Sequence, residues 1–223
     1  MERLSEDQIS TSVKKGGKKV SENDIWIERG KNYMEKFNKK SVIQKLRFLS
    51  QEEAIVGALK KIGREVEIKG ITDIGCGFGR ITTILCEMFP YADIRGLDLS
   101  EDQLRHARMK LPRVLFFKRD IVKNVPPTLT GRSQLVTCVE VLMHIDPENI
   151  ESVVENLTIG RSEFILTVDW DTLDREDIKL ADLAGFCWLH NYGKLFSDRG
   201  YYLMKKRKIP FVKQNLSMWR LRK

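Results

Sequence analysis

The sequence predicts an open α/β fold around a mostly parallel sheet, and three observations carry that prediction. Residues 71–79 read Ile-Thr-Asp-Ile-Gly-Cys-Gly-Phe-Gly, a short apolar strand that ends in an acid and runs into three alternating glycines. Residues 80–89 then place apolar side chains at helical spacing and stop at Pro90. Three further apolar stretches also end in an acid, at Asp98, Asp120 and Glu140. A strand, a glycine turn and a helix open the ligand-binding half of such sheets, whose ligands sit at the carboxyl edge.

The elements follow in order. Residues 1–20 read as a flexible basic tail, because Lys14-Lys-Gly-Gly-Lys-Lys19 is polar and without periodicity. Residues 21–63 read as an N-terminal helical extension. Its first part, 22–38, is helical in part, with Trp26 and Tyr33 as apolar anchors. Its second part is a helix opened by a capping box, Ser50 with Glu53, and ended by Gly63, with Ile55, Leu59 and Ile62 on one face. The β/α alternation then begins and fills residues 64–223. After the glycine turn come a second strand ending at Asp98 and a helix with its own capping box, Ser100 with Gln103. The third strand runs from Arg113 to Ile121 and the fourth from Ser133 to Val139. Asp146 caps the next helix, with Pro147 in its first turn and Ile150, Val153, Val154 and Leu157 toward the sheet. Phe164–Asp169 is the fifth strand. An acid-rich insertion (Asp171, Asp174, Glu176, Asp177, Asp182) leads to Phe186-Cys-Trp-Leu-His-Asn-Tyr192. A helix near Gly193–Arg199 precedes two closing strands, Tyr201–Ile209 and Phe211–Leu221, around Pro210.

The glycines remove side chains where the chain turns sharply and a ligand touches its backbone. Asp98 follows Gly79 by nineteen residues, the distance at which a second-strand carboxylate accepts both hydroxyls of a ribose. Arg80 stands where a dinucleotide fingerprint has its last Gly or Ala, which counts against a nicotinamide-dependent oxidoreductase. On these residues the chain resembles the class I S-adenosylmethionine-dependent methyltransferases, over roughly residues 65–170. The resemblance implies a seven-stranded, mostly parallel Rossmann-like sheet with helices on both faces and a C-terminal antiparallel hairpin. It also implies S-adenosylmethionine as cofactor of the 64–223 domain. Asp73, Gly75, Gly77 and Gly79 match the family's first motif, Asp98 with Leu99 its ribose site, and Asp120 with Ile121 the pair flanking adenine. Glu140 opens the loop that borders the methionine end. The cofactor has no phosphate, so backbone contacts, carboxylates and an apolar slot suffice. Tyr33, with Trp26, is expected to fold over that site and keep water from the sulfonium.

Composition fits one soluble domain. Hydrophobic residues make up 42% and charged residues 31% of 223, and no apolar run reaches the length of a membrane span. The first residues lack the basic and apolar regions of a secretory signal. Cys76, Cys86, Cys138 and Cys187 have no metal-like spacing and read as buried thiols of a cytoplasmic protein. The net charge of +8 gathers near the ends, at Lys14–Lys19, Lys205–Lys208 and Trp219–Lys223. Basic residues among aromatics can hold RNA; the competing reading is a solvated edge strand guarded by lysines.

A methyl transferred from a sulfonium needs its acceptor held in line, and a base where the acceptor starts protonated. His144, after the fourth strand, and His190, after the fifth, are the candidate catalytic residues; His106, in a helix, reads as solvated. Trp170, Trp188 and Tyr192 are the candidate substrate contacts, in an aromatic and acidic lid that suits a neutral or amine-bearing acceptor. Glu140-Val-Leu-Met-His144 resembles the Glu-x-x-Glu-His metal motif of small-RNA 2′-O-methyltransferases, but Met143 replaces the second acid, so no metal is expected. The sequence thus points to a methyltransferase for a small-molecule, sugar or lipid-like acceptor. The alternatives are an RNA or protein methyltransferase using the basic C-terminal edge, or a non-catalytic module on a cofactor fold.

Overall fold

The apolar runs after residue 70 pair into one seven-stranded sheet in this computed structural model, which describes residues 14–15, 18–19, 22–31, 33–39, 41–123, 133–170, 187–212 and 214–223. Its strands are β1 (Gly70–Ile74), β2 (Asp93–Asp98), β3 (Leu115–Lys118), β4 (Leu135–Val139), β5 (Phe164–Asp169), β6 (Tyr201–Lys208) and β7 (Asn215–Leu221). Their order is β3-β2-β1-β4-β5-β7-β6, parallel from β3 through β5 and antiparallel at β7 and β6. β1, β4 and β5 are buried at every residue, as continuous apolar runs covered on both faces must be. The chain winds outward from β1 to β3 and then returns to β4 on the other side of β1. That reversal opens a crevice at the carboxyl ends of β1 and β4. The predicted α/β fold, its hairpin and its flanking helices are all present.

Among the described residues seven α-helices accompany the sheet: α1 (Glu22–Lys31), α2 (Tyr33–Asn38), α3 (Val42–Glu65), α4 (Arg80–Met88), α5 (Glu101–Lys110), α6 (Ile150–Thr158) and α7 (Tyr192–Ser197). α3, α4 and α5 bury Ile55, Leu59, Leu85 and Leu104 against one face of the sheet. α6 and α7 bury Val153, Leu157 and Phe196 against the other, where Phe196 stacks on Trp219 at 4.7 Å. The second half of α3 is therefore part of the sheet's scaffold. No helix among the described residues is long and apolar enough to cross a membrane.

Several boundaries differ from the sequence reading. α3 begins eight residues before the expected Ser50–Glu53 box, since Ser41 and Gln44 form a reciprocal box and nothing in between breaks a helix. α3 also runs through Gly63, whose missing side chain makes room for the Phe89 ring: a Cβ there would lie 3.2 Å from it. At Ser100 the side chain accepts from Gln103 N, while Ser100 N donates to Asp98 instead of to Gln103. α6 starts after Asn149 because Asp146 spends its carboxylate on Glu148 N and its carbonyl on Asn149 N, closing a turn first. β7 starts at Asn215; Phe211, at φ 64°, belongs to the turn. Within the basic tail Lys14–Lys15 and Lys18–Lys19 pair as a short antiparallel ladder. The acid-rich insertion lies outside the described residues.

Candidate active site

Backbone conformation sets one end of the crevice. Gly75, Gly77 and Gly79 all have positive φ (66°, 54° and 84°), and a Cβ at Gly75 would fall 2.2 Å from Val141 Cγ2. Only glycine serves there. At the tip of β2 the Asp98 carboxylate accepts from Gly77 N and from Ser100 N, each at 2.8 Å, tying the glycine turn to the start of α5. Burial pushes the Asp98 carboxyl above the usual range, against the pull of these backbone donors. Past β3, Asp120 accepts from Val122 N at 3.0 Å and from Asn23 Nδ2 of α1 at 2.7 Å. Asp98, Leu99, Asp120, Ile121, Gly75, Gly77, Glu140 and Tyr33 all line one pocket, together with Asn23, Trp26, Arg80 and His144.

Side chains from distant segments build the other end. Glu140 sits just past β4 at φ 59°, a conformation non-glycine residues seldom adopt, and its backbone N is held by Val168 O at 2.8 Å. Arg80, the first residue of α4, lies 3.1 Å from Glu52 and 3.5 Å from Glu140, and it also donates to Gln51. Gln214 joins the group by donating to Glu140 at 2.8 Å and accepting from Gln51 at 2.9 Å. Tyr33 packs on Phe78 with centroids 5.8 Å apart. Burial, followed by the charge of Glu140, raises its phenol above the usual range.

The two candidate histidines part company. His144 ends a single 3-10 turn (Leu142–His144) on the pocket wall, its ring 4.3 Å from that of Trp26 and its Nδ1 3.3 Å from Cys187 Sγ. Beside it the Trp26 indole N–H is buried without a hydrogen-bond partner among the described residues. His190 is 3% exposed, donates from Nε2 to Ile145 O at 3.0 Å and lies off the pocket wall, so it braces the loop after β4 from behind.

Other expected site residues are also elsewhere. Asp73 is 1% exposed and accepts from Thr82 Oγ1 at 2.6 Å and Thr137 Oγ1 at 2.8 Å; it fastens α4 to β1 and β4 rather than facing the pocket. Burial lifts its carboxyl to about 6. Gly79 is the N-cap of α4, off the pocket wall. Tyr192 is buried with Phe196 and Trp219 in the core, and Trp170 and Trp188 are half-buried beyond the wall. Trp188 N, donating to Met143 O at 2.7 Å, holds that segment to the β4 loop. His106 is exposed. Among the described residues no three His, Cys, Asp or Glu side chains are grouped to hold a metal. Sequence reasoning missed Asn23, Cys187 and Gly30. A Cβ on Gly30 would fall 2.1 Å from Ser100 Oγ, so this glycine lets α1 lie against the start of α5. An isolated glycine inside a helical stretch was the available signal.

Parts of the sequence and the fold are found in known proteins. A family model described as "Methyltransferase domain" matches residues 71–158, from β1 to the end of α6. The trans-aconitate 2-methyltransferase of Afipia carboxidovorans is 43% identical over 65 residues, covering 29% of this chain and 25% of that enzyme. The match thus spans about a quarter of the relative's length. Among solved structures, the magnesium protoporphyrin IX methyltransferase of Synechocystis PCC 6803 with bound S-adenosylmethionine has a TM-score of 0.71 at 15% identity, over 91% of this chain and 98% of that one. The 1,6-didemethyltoxoflavin-N1-methyltransferase of Burkholderia thailandensis, solved with bound 1,6-didemethyltoxoflavin and S-adenosylhomocysteine, has a TM-score of 0.65 at 13% identity, over 90% of this chain and 87% of that one. At these identities the likeness is one of fold.

Proposed function

We propose that this chain, which belongs to the class I S-adenosylmethionine-dependent methyltransferases, binds that cofactor in the glycine-turn pocket and methylates a small-molecule, sugar or lipid-like acceptor. The observation that carries the reading is the set of pocket groups around Asp98: a carboxylate on a glycine turn, with a second acid at Asp120 on the same wall. These residues fit the cofactor. Gly75 and Gly77 bring bare backbone to the pocket wall, and Asp98 on the same wall has lone pairs left for ribose hydroxyls. Asp120 and Ile121 would flank the adenine, and Arg80 with Glu140 would meet the two charges of the amino-acid end.

When bound, the cofactor supplies a methyl group already activated by its sulfonium. The chain's part is to orient the acceptor, exclude water and take a proton. Trp26 and Tyr33 cover the pocket from α1 and α2. His144 is the proposed base: in the tautomer that donates Nδ1–H to Cys187 Sγ, its Nε2 accepts the acceptor's proton. His190, hydrogen-bonded behind the loop, holds His144 in place rather than touching the acceptor.

The test is a screen of cell-extract fractions with radiolabelled cofactor, comparing RNase-treated, protease-treated and lipid-extracted acceptors. Label in a low-molecular-weight or lipid fraction supports the reading. A second reading, RNA as acceptor, has the exposed Lys205, Arg207 and Lys208 on edge strand β6 in its favour. Loss of all label on RNase treatment would install that reading instead.

A further inference from the structure

We infer that the first half of α3 is a docking surface for an anionic lipid bilayer, a property that goes beyond methyl transfer and stands or falls independently of it. α3 is 24 residues long, about 36 Å. All its buried residues lie from Gln51 onward; the first nine, 42–50, contribute none to the core. On that projecting half Val42, Ile43, Leu46 and Leu49 are 74%, 66%, 51% and 58% exposed. Val42, Leu46 and Leu49 stand at i, i+4 and i+7, so they form one stripe, on the side of the helix away from Gln51, Ile55, Ala58 and Ile62. Scattered exposed apolar residues are ordinary; three on one stripe opposite the core, with Ile43 exposed beside them, are a patch.

Charge identifies the occupant. Residues 36–51 contain five basic residues and no acid. Lys45 is exposed along one flank of the stripe and Arg47 is exposed on the other side of the same projecting half-helix, and their long stems can carry the charges to headgroups. The first turn of α3 has no acidic residue, so the positive end of the helix dipole is uncompensated within the helix and favours an outside anion. A second copy of this chain on a two-fold axis would set the same cations against one another. A nucleic acid would use the cations but leave a purely aliphatic stripe in water, with no aromatic face for a base to stack on. A bilayer with anionic headgroups satisfies both features at once. The same half of α3 reaches toward the pocket from its other face: Phe48 packs under the Arg80 guanidinium at 4.9 Å, and Arg80 lines the site. Docking there would bring the pocket's Arg80 end close to the membrane surface.

The experiment is flotation of the full chain with phosphatidylcholine vesicles, with and without phosphatidylglycerol, at low and high salt. Cofactor binding and melting temperature are measured on every variant to confirm that it is folded. The expected result is flotation only with the anionic vesicles, weakened about tenfold or more both by Leu46→Asp with Leu49→Asp and by Lys45→Glu with Arg47→Glu. Absence of flotation would overturn the inference, as would flotation that survives the aspartate pair. A dimer in sedimentation equilibrium that the aspartate pair dissociates, or salt-sensitive RNA binding in place of vesicle binding, would hand the patch to another occupant.

Discussion

At the tips of β1, β2 and β3 the pocket wall is largely backbone and strand-end carboxylate, supplied by residues 74–78, 97–99 and 119–122; at the tip of β4 it is side chains that converge from segments far apart in the chain. The first half is local. Gly77 reaches Asp98 directly, and Asp98 reaches Ser100 two residues on. The second half depends on Arg80 meeting Glu52 and Glu140, on Gln214 meeting Glu140, and on His144 meeting both Trp26 and Cys187. A local wall is the same for any acceptor, whereas an assembled one can be retuned by changing any contributor. The difference suggests a division of labour, with cofactor held by the first half and acceptor selected by the second.

The largest effect that would break this division is at Asp98. On the proposed function, Asp98→Ala would remove two ribose hydrogen bonds at roughly 1.5–3 kcal/mol each, and it also releases Gly77 N and Ser100 N. Calorimetry should show S-adenosylmethionine affinity down by about a hundredfold or more. NAD should bind to neither protein. Unaltered affinity in the variant would remove the cofactor assignment altogether.

Asp73 sharpens the comparison from below, because its carboxyl serves the scaffold rather than the ligand. Burial raises it from 3.8 to about 6, so between those values the folded protein binds more protons than the unfolded chain. Its contribution to stability therefore declines as pH rises from about 4 to about 6, by roughly 3 kcal/mol. In Asp73→Asn the amide keeps the two threonine partners without titrating. Thermal melts should show the variant gaining on the wild type across that window and holding the gain above it. Parallel curves would mean that Asp73 is ionised in the fold at all these values. Cofactor affinity should change little in this variant, in contrast to Asp98→Ala.

How much of each half was legible follows from the same distinction. The Gly75–Gly79 turn, Asp98 and Asp120 could be placed from spacing along the chain, because strand, turn and helix lengths fix them. Asp73 misled for a related reason: it lies on the buried strand one residue before the wall begins, and sequence cannot say that Thr82 and Thr137 point at it. His144 and His190 looked equivalent as histidines after successive strands. Only packing separates them, one beside Trp26 on the wall and the other bonded to Ile145 O behind it. Ser50 reads as a helix start because the core-facing period begins there; α3 extends earlier because helix formation needs a cap and no breaker, not burial.

His144 and His190 give the next test. With the acceptor from the extract screen, His144→Gln should lower the methyl-transfer rate about a hundredfold with cofactor affinity nearly unchanged. Only a neutral ring takes a proton, so the wild-type rate should fall on the acid side and the variant should lose that limb. Cys187→Ala should shift this limb while leaving acceptor KM nearly constant, if the thiol positions the ring. His190→Gln should cost melting temperature more than rate. Equal rate losses in the two histidine variants would put His190 back beside the acceptor.

The smallest expected effect concerns the lid that joins the two halves. α1 reaches the local half through Asn23 and Asp120 and the assembled half through Trp26 and His144, and Gly30 sets how closely it lies against Ser100. By helix propensity alone, Gly30→Ala should stabilise α1 by about 1 kcal/mol. Yet the new Cβ would sit 2.1 Å from Ser100 Oγ, next to the turn that Asp98 holds, and α1 has to move away. The expected outcome is a cofactor affinity lowered about tenfold, the scale of one or two lost lid contacts, with little change in melting temperature. Truncations provide the control: removing residues 1–20 should leave affinity nearly intact, and removing 1–38 should weaken it at least as much as the alanine. If Gly30→Ala and the longer truncation both bind as tightly as the full chain, α1 braces the fold without closing over the cofactor. Trp26 would then matter only as the ring against which His144 is set.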